Sequence, residues 1–300
     1  MKIGFIGTGT MGQPMLANLV KKGFAVLAFD VVPAALDAAA SLGAERAGSV
    51  GETARNCEIV ITMLPSSANV EAVYLGSSGI VESAGEGRLC VDMSTIDPGT
   101  SQRVAARLGE RGLRFLDAPV SGGVGGAAAG TLAIMVGGDA RDLAEARPAL
   151  AAMGTNIIHV GAVGAGEVAK LCNNLISGSA LIAVAEAFRI GEAFGVDAQV
   201  LTNVIARSSG ATWVMEHMHP VPGIVGSAAS SRQYAPGFMT DLMAKDLGLA
   251  VSAARDKRVP VVVAPAAQQL YRMASSHGLG REDFSAVYKF LKPSSDDAPV

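Results

Sequence analysis

The chain has 300 residues, of which 50% are hydrophobic and 17% charged, and its formal net charge is −3. So apolar a composition excludes a disordered chain, and slight acidity without a Lys/Arg cluster leaves no electrostatic footprint for nucleic acid. The length exceeds one ordinary domain and predicts two domains, or one with a helical annex.

From Lys2 to about His159, short apolar runs alternate with helix-length stretches. The predicted strands are Lys2–Ile6, Ala25–Phe29, Ile59–Thr62, Leu89–Asp92, Phe115–Ala118, Leu132–Val136 and Ile157–Val160. Each is nearly continuous in apolar character, as a strand buried on both faces must be. Helices are predicted over Gly12–Lys22, Pro33–Leu42, Val50–Asn56 and Thr100–Glu110. Alternation at this spacing means βαβ units and a largely parallel sheet.

After Val160 the character changes. Gly161, Gly164 and Gly166 precede one long helix reaching about Phe194, too apolar for a single stripe and so buried on more than one side. Further helices are expected over Ala198–Arg207, Thr212–His217, Leu242–Arg255 and Pro260–Ser276, with a Pro/Gly/Ser-rich loop, Pro220–Pro236, among them. The expected fold is α/β: an N-terminal doubly wound, Rossmann-like sheet (1–162), then an all-α C-terminal domain (163–293) joined by the long helix. Residues 294–300 read as a disordered tail.

The three cysteines, Cys57, Cys90 and Cys172, are odd in number and form no C-x-x-C pair, which predicts free thiols rather than disulfides or a structural zinc. Met1 and Lys2 lead straight into a strand, not a signal peptide, and Leu171–Ala185 is shorter than the ~20 residues a bilayer requires. The expectation is a cytoplasmic protein. His159, His217, His219 and His277 have no metal spacing and read as structural or surface residues, so no metal is predicted.

Gly7-Thr8-Gly9-Thr10-Met11-Gly12 is G-x-G-x-x-G, weak by itself in a chain with 36 glycines. Its context strengthens it, because it follows a strand, opens a helix, and is followed by a second strand ending in Asp30. Gly7 permits the tight turn, Gly9 lets backbone approach a pyrophosphate, and Gly12 lets the helix pack on the strand. Asp30 can accept hydrogen bonds from both ribose hydroxyls, although a plain strand-end carboxylate is the alternative. Val31 and Val32 offer no cation to a 2′-phosphate, so NAD is expected over NADP. Met63-Leu64-Pro65 and Ser94-Thr95 end later strands, where ligands of doubly wound sheets lie.

Asp117-Ala118-Pro119-Val120-Ser121-Gly122-Gly123 also follows a strand. Its Ser-Gly-Gly turn is either an anion-binding nest suited to a carboxylate or a flexible loop. Lys170 and Asn174, at i and i+4 of the long helix, share a face among Leu171, Cys172 and Leu175. Lys170 is either a snorkelling charge or a buried amine suited to proton transfer.

Four motifs in order carry a resemblance: Phe5-Ile6-Gly7-x-Gly9-x-Met11-Gly12, Asp117–Gly123, Gly166-x-x-x-Lys170-x-x-Asn173-Asn174, and Lys245-Asp246-Leu247. Together they resemble the β-hydroxyacid dehydrogenases, most closely the branch acting on 3-hydroxyisobutyrate, from Met1 to about Leu291. The resemblance implies NAD-dependent oxidation of a 3-hydroxy acid, as in valine degradation, with Lys170 as catalytic acid/base. It implies substrate binding by Ser121, Gly122, Gly123 and Asn174, and NAD contacts from Leu64, Pro65, Asn69 and Thr95. Lys245 would approach the cofactor from the C-terminal domain, with Lys170 carried into the cleft between domains. Rival readings are reduction of a tartronate, succinic or glyoxylic semialdehyde, an imine reductase, which usually lacks this lysine, and a non-catalytic dinucleotide-binding or chromatin-associated module, as in some relatives that have lost it. The apolar long helix predicts a homodimer or homotetramer.

Overall fold

The computed structural model describes residues 1–292; the tail predicted over 294–300 lies outside the described residues. Nine strands form one sheet: β1 (Lys2–Ile6), β2 (Ala25–Phe29), β3 (Glu45–Arg46), β4 (Ile59–Thr62), β5 (Leu89–Asp92), β6 (Arg114–Asp117), β7 (Val120–Ser121), β8 (Leu132–Gly137) and β9 (Gly154–Gly161). Their order is β3-β2-β1-β4-β5-β6-β8-β7, with β9 also paired to β8. From β3 through β6 every pairing is parallel. β8 then runs antiparallel to β6 and β7 and parallel to β9, so the sheet is parallel in its larger part and mixed at one side. Among the described residues it takes no strand from beyond Gly161.

The strands read as unbroken apolar runs because both faces are covered. Ile3, Phe5, Ile59, Ile61, Leu89 and Val91 enter one buried cluster with Met15, Leu16 and Leu19 of helix α1 (Gly12–Lys21). The alternate residues Ile6, Val60 and Cys90 enter a second cluster on the opposite face. There they meet Ala54 of α3 (Val50–Asn56), Val70 and Tyr74 of α4 (Ser67–Leu75), Ile80 and Val81 of α5 (Ile80–Ser83), and Val104 and Leu108 of α6 (Pro98–Gly109). Two apolar clusters separated by one sheet make the doubly wound arrangement, with α2 (Pro33–Ser41), α7 (Gly123–Ala129) and α8 (Ala140–Met153) joining α1 on the first face.

The helix α9 runs from Ala165 to Ala193. Compact units divide within it, the first being Met1–Lys170 and the second starting at Leu171. The second is helical: α10 (Ala198–Ile205), α11 (Trp213–His217), α12 (Thr240–Asp256), α13 (Val263–Ala274) and α14 (Val287–Phe290), with short tight turns between. Its core joins Leu181, Ala185 and Phe188 of α9 to Met243 and Leu247 of α12, Tyr271 of α13 and Phe284. A Cβ on Gly178 would come within 2.7 Å of Met243 Sδ, so α9 and α12 pack closely there and a larger residue would have to displace the Met243 side chain. By length and composition α9 is apolar enough to cross a membrane, but the apolar residues just named are buried in this core.

Burial of α9 departs in part from the sequence reading. Leu171 is buried, whereas Val168 and Ile176 are 47% and 68% exposed and Cys172 is also exposed. The helix therefore keeps an open apolar side at Val168, Cys172 and Ile176, where burial on more than one side was expected. Cys57 and Cys90 are buried and free.

Candidate active site

The carboxyl ends of the parallel strands gather the nucleotide motif, Leu64, Thr95, the Ser-Gly-Gly turn and the start of α9. After β1 the chain turns at Gly7, whose φ is +95° and where a Cβ would lie 2.2 Å from Met63 O. A Cβ on Gly12 would lie 2.0 Å from Gly7 O, so α1 starts in backbone contact with the turn. Gly9 is the opposite case: nothing lies within 4 Å of its would-be Cβ, and it is exposed between buried Thr8 and exposed Thr10. Two glycines thus serve packing, and the third leaves backbone open to a ligand, as a pyrophosphate requires. Met11 flanks α1 half-buried.

Asp30 is held ready at the end of β2. Its Oδ2 accepts from the Thr8 N–H at 2.7 Å and its Oδ1 from the Val32 N–H at 2.8 Å. Val31 and Val32 beside it are 84% and 53% exposed and carry no charge.

Beneath the β4 and β5 ends runs a buried polar chain that sequence reading missed. Tyr74 OH and Thr62 Oγ1 lie 3.0 Å apart, and Thr62 Oγ1 donates to Asp92 Oδ1 at 2.7 Å. Ser94 Oγ donates to the same oxygen at 2.6 Å and accepts from the Leu64 N–H at 2.8 Å. Asp92 thus fixes the Met63-Leu64-Pro65 turn through Ser94. Burial pushes its carboxyl up to about 6, against the hydrogen bonds that favour its charged form, and nearby Asp117 adds to the rise. Asn69 is exposed on the first turn of α4, which Ser66 caps by accepting from the Asn69 N–H at 3.3 Å. Pro65 is exposed and Thr95 half-buried.

The Asp117–Gly123 segment divides its work. Asp117, wholly buried, accepts from the Gly164 N–H at 2.7 Å and the Glu167 N–H at 3.0 Å, so its carboxylate caps the first turn of α9. Burial raises its pKa and those backbone bonds oppose the rise. Ser121 belongs to β7, paired with Ala133 of β8. Gly122 and Gly123 have φ of +135° and +60°, conformations that a side chain would strain. What looked like either a nest or a flexible loop is an ordered turn opening α7.

Lys170 is 5% exposed, five residues into α9. That burial disfavours the snorkelling alternative, which would leave the charged end in water. Glu167, also fully buried, accepts from the Ile96 N–H at 3.1 Å. Its signal in the sequence was an acid in a helical first turn, a common surface pattern, and so it drew no attention.

In the second unit Asn174 is 5% exposed and its Nδ2 donates to Asp246 Oδ2 at 2.6 Å. Lys245 Nζ lies 3.3 Å from Asp246 Oδ1, so Asp246 joins two predicted site residues. Among the described residues no group of three or more His, Cys, Asp or Glu is placed to hold a metal.

A family model described as the NAD binding domain of 6-phosphogluconate dehydrogenase matches residues 2–161. Another, described as NAD-binding of NADP-dependent 3-hydroxyisobutyrate dehydrogenase, matches residues 164–291. Rat mitochondrial 3-hydroxyisobutyrate dehydrogenase is 42% identical over 97% of this chain and 87% of its own length. The chain belongs to the 3-hydroxyisobutyrate dehydrogenase family. It is an NAD-dependent hydroxyacid dehydrogenase with a small-molecule substrate. The NAD-dependent L-serine dehydrogenase of Pseudomonas aeruginosa is 45% identical over 98% of both chains. The solved structure of Mycobacterium tuberculosis 3-hydroxyisobutyrate dehydrogenase with L-serine superposes with a TM-score of 0.92 at 42% identity, covering 97% of this chain and 99% of that one.

Proposed function

We propose that this enzyme oxidises 3-hydroxyisobutyrate to methylmalonate semialdehyde, with Lys170 as the acid/base. The observation that carries the lysine's role is its burial on a helix start held to the strand ends by Asp117 and Glu167. When bound, NAD supplies the hydride acceptor. Neutral Lys170 takes the hydroxyl proton in oxidation, and its ammonium form returns that proton in reduction. The Ser121 hydroxyl and the Gly122 and Gly123 amides hold the substrate carboxylate. Asn174, its amide fixed by Asp246, orients the hydroxyl.

The relatives bound the substrate. 3-Hydroxyisobutyrate and L-serine are both three-carbon-backbone 3-hydroxycarboxylates and differ at C2, a methyl in one and an ammonium in the other. The second family model and the rat relative support the methyl-bearing substrate. The Pseudomonas relative supports L-serine as the second reading. Initial rates with 3-hydroxyisobutyrate and L-serine in the presence of NAD, and with the semialdehydes in the presence of NADH, decide between them. The expected order puts 3-hydroxyisobutyrate first in kcat/KM, and a higher value for L-serine would establish the second reading. Lys170→Ala should lower kcat by about 100-fold or more with NAD affinity nearly intact, since general acid/base catalysis is worth ~10²–10⁴. Near-full activity in a folded Lys170→Ala enzyme would remove the lysine from the mechanism.

A further inference from the structure

We propose that Glu167 is a positioning residue for this reaction, tying the Thr95–Ile96 turn at the end of β5 to the helical turn that carries Lys170. The inference rests on Lys170 being the acid/base and on the Thr95 turn bordering the cofactor.

Glu167 is fully buried, and its Oε2 accepts from the Ile96 N–H at 3.1 Å. Ile96 is itself wholly buried, so that amide has no access to water and needs a partner in the protein. The Glu167 N–H donates in turn to Asp117 Oδ2 at 3.0 Å, while the Gly164 N–H donates to Asp117 Oδ1 at 2.7 Å. A Cβ on Gly166 would lie 2.3 Å from Met135 O and 2.8 Å from Asp117 Oδ2, so the helix start is pressed against β6 and β8. The first turn of α9 is therefore fastened to β6 by Asp117 and to the β5 turn by Glu167.

Residues three apart on a helix share a face, which puts Glu167 and Lys170 on the same side. The proton leaves the hydroxyl oxygen and the hydride leaves the carbon that bears it, one bond apart, so the amine and the cofactor must keep a fixed separation. Asp117 sets the height of the helix start over the sheet. Glu167 links the helix to the loop on the cofactor side. An apolar side chain could fill the same volume without the cost of burying an acid, but it could not accept the Ile96 N–H.

The test compares Glu167→Gln, whose side-chain oxygen can still accept that N–H, with Glu167→Leu and Glu167→Ala, which cannot. Misplacement by about 1 Å costs up to ~10²-fold, so Leu and Ala should lower kcat by about 30-fold or more while the Kd for NAD moves less than ~5-fold. Gln should restore kcat to within about 5-fold of wild type, as it keeps the bond and loses only the charge. In a Lys170→Ala background, Glu167→Leu should lower the residual rate by less than ~3-fold, because residues acting as a unit are non-additive. Wild-type kcat in folded Glu167→Leu, equal losses in both backgrounds, or a folded Gln variant as impaired as Leu would each overturn the proposal. If Leu and Ala do not fold, the Gln variant alone decides: a loss above about 30-fold overturns it. Full activity in Lys170→Ala by itself would instead count against the lysine, whatever the Glu167 variants do.

Discussion

Asp92 and Asp117 stand in register on the adjacent parallel strands β5 and β6, both carboxylates wholly buried, and they do different work. Asp117 spends its oxygens on the backbone of α9. Asp92 gathers Thr62 and Ser94 on one oxygen, and its Oδ2 has no hydrogen-bond partner among the described residues. Two neighbouring acids in a dry site make full ionisation costly, and burial raises Asp92 to about 6.

The first prediction follows from the sign of that shift. The folded-state pKa of Asp92 lies above its unfolded value of about 3.9, so the folded form binds more protons between the two. Its contribution to stability is present below the unfolded pKa and is lost as pH rises towards 6 and beyond. Asp92→Asn keeps an acceptor for Thr62 and Ser94 and cannot ionise. The Tm of Asp92→Asn minus that of wild type should rise between pH 4.5 and pH 7.5, by an amount reflecting up to ~2–3 kcal/mol. A constant difference across that range would show that the buried carboxyl does not change charge there.

A second prediction concerns the cofactor. Thr8 and Val32 amides hold Asp30 in place, and exposed, uncharged Val31 and Val32 lie beside it. A 2′-phosphate would meet the carboxylate with no nearby cation to offset it, so kcat/KM should favour NAD over NADP. Asp30→Asn retains one acceptor and removes the charge, and should raise the NADP-to-NAD ratio by about 10-fold. Equal efficiency with both cofactors in wild type would contradict this account of selectivity.

Much of this was legible in the sequence because the sheet is buried on both faces. β1, β2, β4 and β5 lie at their predicted bounds, since apolar runs of that length have few alternatives. β3 was missed because Glu45 and Arg46 form a two-residue exposed edge strand without apolar signal. α7 was not predicted, because Gly123–Ala129 is rich in glycine, a poor helix former. Tertiary contact compensates: Asn18 Nδ2 donates to Ala127 O at 2.7 Å, satisfying a carbonyl at the helix end. The helix α4 was missed for lack of a single apolar stripe, and α8 because it contains Pro148, although its buried Leu143, Ala146, Ala149, Leu150 and Met153 share one face. Within the site, Lys170, Asp30 and the glycine motif were visible as motifs. Ser94 was visible only as a strand end; its hold on Leu64, and the roles of Asp92 and Glu167, were not, because they depend on partners 30 to 71 residues away.

The histidines give a third prediction. His219 is wholly buried, its Nδ1 accepts from the Val221 N–H at 3.1 Å, and its Nε2 lies 3.2 Å from Thr202 Oγ1. Its ring meets Phe188 edge-on with centroids 4.5 Å apart. Burial lowers its pKa from 6.5 to about 4, so it folds neutral and anchors the start of the Pro220–Pro236 loop. Here the unfolded state binds more protons between those values, and stability is lost as pH falls from about 6.5 to about 4. His219→Asn can keep the Val221 bond and loses the ring contact. It should be less stable than wild type at pH 7.5 and lose less on acidification. The Asp92 and His219 contributions have opposite slopes in overlapping windows, so difference curves between variant and wild type are the measurement that separates them. A parallel fall of Tm in both proteins would sever the acid response from His219.

The three motif glycines separate folding from binding. At Gly12 an added methyl would meet Gly7 O at 2.0 Å and Phe5 Cε1 at 3.1 Å, both on the rigid β1 end. Gly12→Ala should therefore lower Tm by several degrees, and any loss of NAD binding would accompany a disturbed fold. At Gly9 the same methyl meets nothing within 4 Å, so the folded chain accommodates alanine. If the pyrophosphate crosses the backbone there, that methyl occupies ligand space. Gly9→Ala should then raise the Kd for NAD by about 10-fold or more while Tm stays within ~2 °C of wild type, because close backbone approach is what the second glycine of the motif provides. Isothermal titration with NAD, alongside thermal unfolding of the free protein, reads both quantities. Wild-type affinity in a folded Gly9→Ala enzyme would move the pyrophosphate away from Gly9, and a large drop in its Tm would mean that the open space beside Gly9 serves folding.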